Sequence, residues 1–175
     1  MNQNYTNYKV IIGYDKIESL QYLNNYKDND KIEIYQMSTK SKERFKHNLY
    51  LNTMMEKVID GFIMYLDDDD MMTYNNSLNI LNENIINEND LVIWKFMRPD
   101  RLIFPKNNII KIGHISGCAY SFNSKYKLSS RWVDKQCSDY HFITCLLKKT
   151  KLNIKIIDYI LTRIISDDRI GNFGK

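Results

Sequence analysis

Apolar residues along this chain switch between the period of a strand and the period of a helix. Tyr8 to Gly13 is a β-branched run ending at a glycine, the pattern of a buried strand entering a loop. Ile17 to Asn25 then reads as a helix, and Ile32 to Gln36 as a second short strand. Between Lys42 and Ile59, Phe45, Leu49, Leu51, Met54, Met55 and Val58 fall close to helical spacing. Gly61 to Leu66 gives the strongest strand signal and runs directly into Asp67-Asp68-Asp69-Asp70. Ser77, Leu78, Ile80, Leu81, Ile85 and Ile86 predict another amphipathic helix.

Strands that alternate with helices imply βαβ crossovers and a parallel sheet covered on both faces, with ligands gathered at the carboxyl ends of the strands. Past Asp90 the pattern changes. Leu91 to Met97 and Leu102 to Phe104 flank Arg98-Pro99-Asp100-Arg101, a turn-forming sequence, so an antiparallel hairpin is expected. Ile109 to Ile112 and Ala119 to Phe122 are further strand candidates. Gln136 to Lys149 is helix-like and ends in Lys148-Lys149, where cations suit the dipole. Ile154 to Ile157 predicts a closing strand, and the polar stretch 166–175 a mobile tail.

Length and composition narrow the classes. The 175 residues suit one domain with a real core, and 43% hydrophobic with 26% charged residues is a globular balance. A net charge of +4 without any Lys/Arg block does not call for nucleic acid as a partner. Abundant Asn, Ile and Lys point to an AT-rich source, such as a large DNA virus or an AT-rich microbe. Cys118, Cys137 and Cys145 form an odd set without CxxC spacing, which suggests a reducing compartment rather than a disulfide or zinc framework. The polar start and the short apolar runs show neither a signal peptide nor a membrane span, so a soluble, cytoplasmic protein is expected.

Four consecutive carboxylates at the end of a buried strand repel one another unless a cation neutralises them. Oxygen donors suit Mg²⁺ or Mn²⁺, which keep water or phosphate oxygens as further ligands, so an open site there invites a metal-bound diphosphate. A calcium loop fits poorly, because Met72 stands where the EF-hand pattern wants glycine.

With these residues in view, Gly61 to Asp70 resembles the strand and DXD signature of GT-A-fold glycosyltransferases, the family-2-like ones in particular. Asn48 and the helix after it resemble the segment that precedes this strand in the family, where an Asn sits before an amphipathic helix. Ile115-Ser116-Gly117-Cys118-Ala119-Tyr120-Ser121-Phe122 resembles the small-residue segment near donor sugar and acceptor. Ser138-Asp139-Tyr140-His141-Phe142 resembles the element whose Asp is the catalytic base of inverting members. The resemblance covers most of the chain in the expected order. It implies a single GT-A-like, Rossmann-like α/β domain with a mostly parallel central sheet: a nucleotide-binding part over about 1–90 and an acceptor-side part over about 91–165.

The activity so implied is transfer of a sugar from a nucleotide-diphosphate donor, UDP by family resemblance, to the hydroxyl of a glycan or other acceptor, with inversion. Asp139 would be the general base. Asp69 would bind Mn²⁺ or Mg²⁺ with Asp67 and Asp70 beside it; Asp67-x-Asp69 fits the family placement, and Asp68-x-Asp70 is the shifted register. Gly13, Tyr14, Asp15, Arg44, Asn48, Asp67 and Asp68 are the nucleotide-sugar candidates, and His114, Ser116, Gly117 and Trp132 the sugar and acceptor candidates. There are departures from the family pattern: Gly13-Tyr14-Asp15 replaces Pro-Thr-Tyr-Asn, Met37-Ser38-Thr39-Lys40 replaces Asp-Asp-Gly-Ser, and Ser138 stands where many members have Glu. A non-catalytic binding module of the same fold and a metal-dependent nucleotidyltransferase are the rival readings, the latter weakened by the lack of a Gly-rich phosphate loop with Lys.

Overall fold

In a computed structural model the described residues are 3–38 and 42–165. Thr39, Lys40 and the expected mobile tail over 166–175 lie outside them. The strands are β1 (Val10–Tyr14), β2 (Ile32–Gln36), β3 (Phe62–Met64), β4 (Asp70–Met72), β5 (Asp90–Met97), β6 (Ile103–Phe104), β7 (Tyr120–Asn123) and β8 (Asn153–Ile164). The helices are α1 (Leu20–Leu23), α2 (Lys46–Lys57), α3 (Ser77–Asn84) and α4 (Ser138–Lys149).

β1 and β2 pair in parallel as a two-stranded sheet. The other six strands form a second sheet in the order β3-β7-β5-β8-β4, with β6 paired to β5. Only β5 and β8 run parallel there; β3 with β7, β5 with β7, β4 with β8 and β5 with β6 are antiparallel. The α/β architecture is thus as expected, while the sheet is mixed rather than mostly parallel.

β5 explains why the layers stack as they do. Leu91, Val92, Ile93 and Trp94 are all fully buried, which requires cover on both faces. Alternation then divides them: Leu91 and Ile93 join Met55 of α2 and Phe142, Ile143 and Leu146 of α4 in one core, whereas Val92, Trp94 and Phe96 join Leu81 of α3 and Leu161 in the other. Asp90 starts this strand in full burial. It accepts from Ile86 N (2.9 Å), Asn87 N (3.0 Å), Asn153 Nδ2 (2.8 Å) and Lys155 Nζ (3.2 Å). Against the cost of burial, those donors hold its carboxyl well below the usual carboxylate range, and they tie the end of α3 to the starts of β5 and β8.

Two local expectations, for Ile109–Ile112 and for the closing strand, are corrected, and one strand is added. Ile109–Ile112 is not a strand, since the β-branched run finds no strand to pair with. β4 is a strand despite beginning with an aspartate, because β8 supplies a partner: Asp70 pairs with Ile164 and Met72 with Thr162. β8 continues seven residues beyond Ile157. Its register against β5 jumps from Trp94↔Ile157 to Lys95↔Ile160, so Asp158 and Tyr159 bulge out and pairing resumes.

Candidate functional site

Asp67, Asp68 and Asp69 lie in the turn between β3 and β4, and Asp70 opens β4. Asp70 N donates to Asp67 O (3.0 Å), closing the turn, and Ile165 N donates to Asp69 O (3.0 Å), pinning it to the end of β8. Burial pushes the Asp70 carboxyl up to about 7; the Asp67 charge adds to this, the Cys118 side chain opposes it by hydrogen bonding, and Asp69 adds again. Cys118 belongs to a single turn over Gly117–Ala119 that leads into β7. Its Sγ lies 3.3 Å from Ser116 Oγ, and its carbonyl accepts from Thr162 Oγ1 (2.9 Å), which in turn accepts from Trp94 Nε1 (3.1 Å). A buried polar chain thereby fastens the Ser116–Ala119 turn beneath the aspartates.

Asp139 enters the site from α4. It sits in the helix's first turn, after Cys137 at a left-handed φ of 54°, and its Oδ1 accepts from Tyr140 N (2.7 Å). Burial raises its carboxyl to about 6, the Tyr140 amide opposes this, and the Asp67 charge raises it further. The aspartate turn and the start of α4, 72 residues apart in sequence between Asp67 and Asp139, therefore act on each other electrostatically.

The carboxyl ends of β1 and β2 meet the start of α2. Lys46 Nζ pairs with Asp15 Oδ2 (3.3 Å), Tyr50 Oη lies 3.5 Å from the same oxygen and donates to Ser38 O (3.1 Å), and Met37 N donates to Tyr14 O (2.6 Å). Tyr14 also lines an open cavity of about 350 Å³ with Leu20, Lys27, Ile32 and Ile34. Arg44 is exposed, with its guanidinium 5.3 Å from the centre of the Phe45 ring. Gly13 is a packing residue within β1, not a loop residue: a Cβ there would meet Met54 Sδ at 2.7 Å and Met37 Cε at 3.2 Å.

Two other candidates turn out to be structural. Asn48 is 6% exposed, and its Nδ2 donates to Val133 O (3.2 Å) and Lys135 O (3.1 Å), joining α2 to the segment before α4. Trp132 is 4% exposed, stacked on Phe142 with ring centres 5.1 Å apart and edge-on to Tyr65 at 5.0 Å, so it offers no face to a sugar. Asn52, which the sequence did not mark out, exchanges two hydrogen bonds with the Trp132 backbone (2.8 and 2.9 Å). His114 stands edge-on to Phe104 at 4.9 Å, and burial lowers its pKa, with Lys111 and Lys106 adding to the effect. Ser116 and Gly117 lie in the fastened turn, Gly117 directly against Trp132.

Among the described residues, no three His, Cys, Asp or Glu side chains converge as a metal cage. The aspartate turn nonetheless offers hard oxygen donors whose mutual repulsion a divalent cation would relieve, so the residues fit an open, partly protein-held cation site.

No family model matches the chain, and no curated protein matches it. Solved structures do. S. aureus TarS, residues 1–349, superposes with a TM-score of 0.74 at 13% identity, covering 93% of this chain and 53% of that one. The fold of this chain is similar to that of the matched part of TarS. A longer TarS structure gives a TM-score of 0.76 at 13% identity, over 94% of this chain and 32% of that one, and the TarS 1–349 complex with UDP-GlcNAc gives 0.74 at 13%, over 93% and 51%. This chain thus spans about half of the TarS 1–349 structures and about a third of the longer one. No helix among the described residues is long and apolar enough to cross a membrane.

Proposed function

We propose that this chain is a metal-dependent glycosyltransferase that moves a sugar from a nucleotide-diphosphate donor to an acceptor hydroxyl with inversion. What supports the reading is the aspartate turn after β3 and the buried Asp139 at the start of α4, whose carboxyl feels the Asp67 charge, within a fold like that of TarS, which has been solved with UDP and with UDP-GlcNAc. UDP is accordingly the donor nucleotide we favour.

Asp69 and Asp67 would hold Mn²⁺ or Mg²⁺, with Asp70, drawn toward Cys118, as the third carboxylate of the turn. When bound, the cation supplies charge stabilisation to the departing diphosphate. Asp139 takes the proton from the attacking hydroxyl; a carboxyl held near 6 is mostly ionised at neutral pH and more basic than an ordinary aspartate. The Ser116–Ala119 turn borders the site through Cys118, beside Asp70. Asp15, Lys46 and the end of β1 offer the nucleotide its contacts.

Calorimetry with UDP tests this reading, alongside release of free sugar from UDP-sugars. Binding in Mn²⁺ that disappears in excess EDTA, accompanied by slow sugar release, is expected. Equal UDP affinity in EDTA and Mn²⁺ overturns the metal bridge, and binding without any turnover of donor favours the non-catalytic module.

A further inference from the structure

Residues 98–112, from the β5–β6 turn into the loop before His114, combine cations with large exposed aliphatics. The stretch holds Arg98, Arg101, Lys106 and Lys111 against the single carboxylate of Asp100. Arg98 Nη2 pairs with Asp100 Oδ2 (3.1 Å), and among the described residues Arg101, Lys106 and Lys111 have no ion pair. Leu102, Ile109 and Ile112 are 44%, 48% and 57% exposed.

These residues belong to one surface. Phe104 and His114 meet at 4.9 Å and tie the two ends of the intervening loop together, while Ile110 packs on the core and leaves Ile109 and Ile112 outside. Arg98 and Lys106 both lie over the Phe104 ring, at 5.5 and 5.3 Å, and Ile103 shares the wall of an open cleft with Lys106. Arg98 Nε and His114 Nδ1 are buried without a partner among the described residues. The register places this surface at the end of the sheet that carries the aspartates: Met97 pairs with both Ile103 and Arg163, and Arg163 pairs with Met71, next to Asp70.

Cations alone would suit any soluble anion, and aliphatics alone a protein partner. Phosphate headgroups above an acyl boundary satisfy both at once. We propose that the surface formed by Arg101, Leu102, Lys106, Ile109, Lys111 and Ile112 docks this chain peripherally on an anionic lipid bilayer. The inference stands independently of the transfer reading; together the two place the aspartate site and the docked surface at the same end of the sheet.

Co-sedimentation of the full chain with phosphatidylcholine vesicles, with and without phosphatidylglycerol, tests it. Binding is expected to require phosphatidylglycerol and to weaken with salt. Lys106→Glu with Lys111→Glu should weaken it by roughly 25-fold or more, at about fivefold for each cation lost. Ile109→Ser with Ile112→Ser should also weaken it, with an unchanged melting temperature, since both side chains are exposed. The proposal fails if anionic vesicles leave the chain in the supernatant at low salt. It fails equally if the Lys pair matters and the Ile pair does not, because the surface then reads a soluble anion. UDP binding measured in parallel, without vesicles, keeps this outcome separate from the fate of the transferase reading.

Discussion

A methyl group on the α-carbon of Gly117 would lie 3.1 Å from Cη2 of Trp132. Trp132 cannot retreat, because Phe142 and Tyr65 close on it and Asn52 holds its backbone. The glycine thus brings the Ser116–Ala119 turn down onto the core, and both residues serve the site through packing. Gly117→Ala should lower unfolding stability by about 1–3 kcal/mol. Urea denaturation checks it, and an unchanged midpoint would show that the indole moves freely.

Asn48 makes the same point for α2. Asn48→Ala would remove both donors from the Val133 and Lys135 carbonyls, at a cost of about 1–3 kcal/mol. UDP affinity measured well below the melting temperature should be unaffected. A selective loss of UDP affinity at parent stability would instead return Asn48 to the nucleotide site.

Much of the architecture was legible because burial writes itself into local pattern. The run Leu91–Trp94 is apolar without a break because both of its faces are covered. The continuation of β8 was not legible, since Asp158 and Tyr159 interrupt the run and only the bulge against Lys95 lets pairing resume. β4 was hidden because aspartate disfavours strands, and pairing with Ile164 overrides that preference. The aspartate turn and Asp139 could be picked out by motif, but their electrostatic coupling depends on tertiary placement. Trp132 looks like a surface residue between Arg131 and Asp134; only the three-dimensional arrangement of Tyr65, Phe142 and Gly117 makes it core.

Asp70 sets a pH dependence of stability in the absence of divalent cations. Its folded carboxyl sits at about 7 against an ordinary 3.8, so the folded chain keeps a proton that the unfolded chain gives up. The contribution is full below about pH 4 and is lost as pH rises through 7. Melting temperature should therefore fall between pH 5 and pH 8, and Asp70→Asn should flatten the upper part of that fall. An Asn variant with the parent's slope would show that Asp70 ionises without penalty.

Asp139 separates base catalysis from helix-end stabilisation. Its Oδ1 accepts from Tyr140 N, and an asparagine oxygen can accept the same bond without the burial cost of a charge, so Asp139→Asn should keep or raise the melting temperature at neutral pH. An amide cannot take the proton of an acceptor hydroxyl, so transfer should fall by roughly a hundredfold or more while UDP affinity persists. With the carboxyl held at about 6, parent activity should decline as pH drops below that value, because the protonated acid is no longer a base. The residual activity of the Asn variant should lack that limb, a difference that a purely structural role would not produce. If the variant transfers sugar at the parent rate and keeps the same acid limb, the proton goes elsewhere, and His114 and Asp134 become the groups to replace.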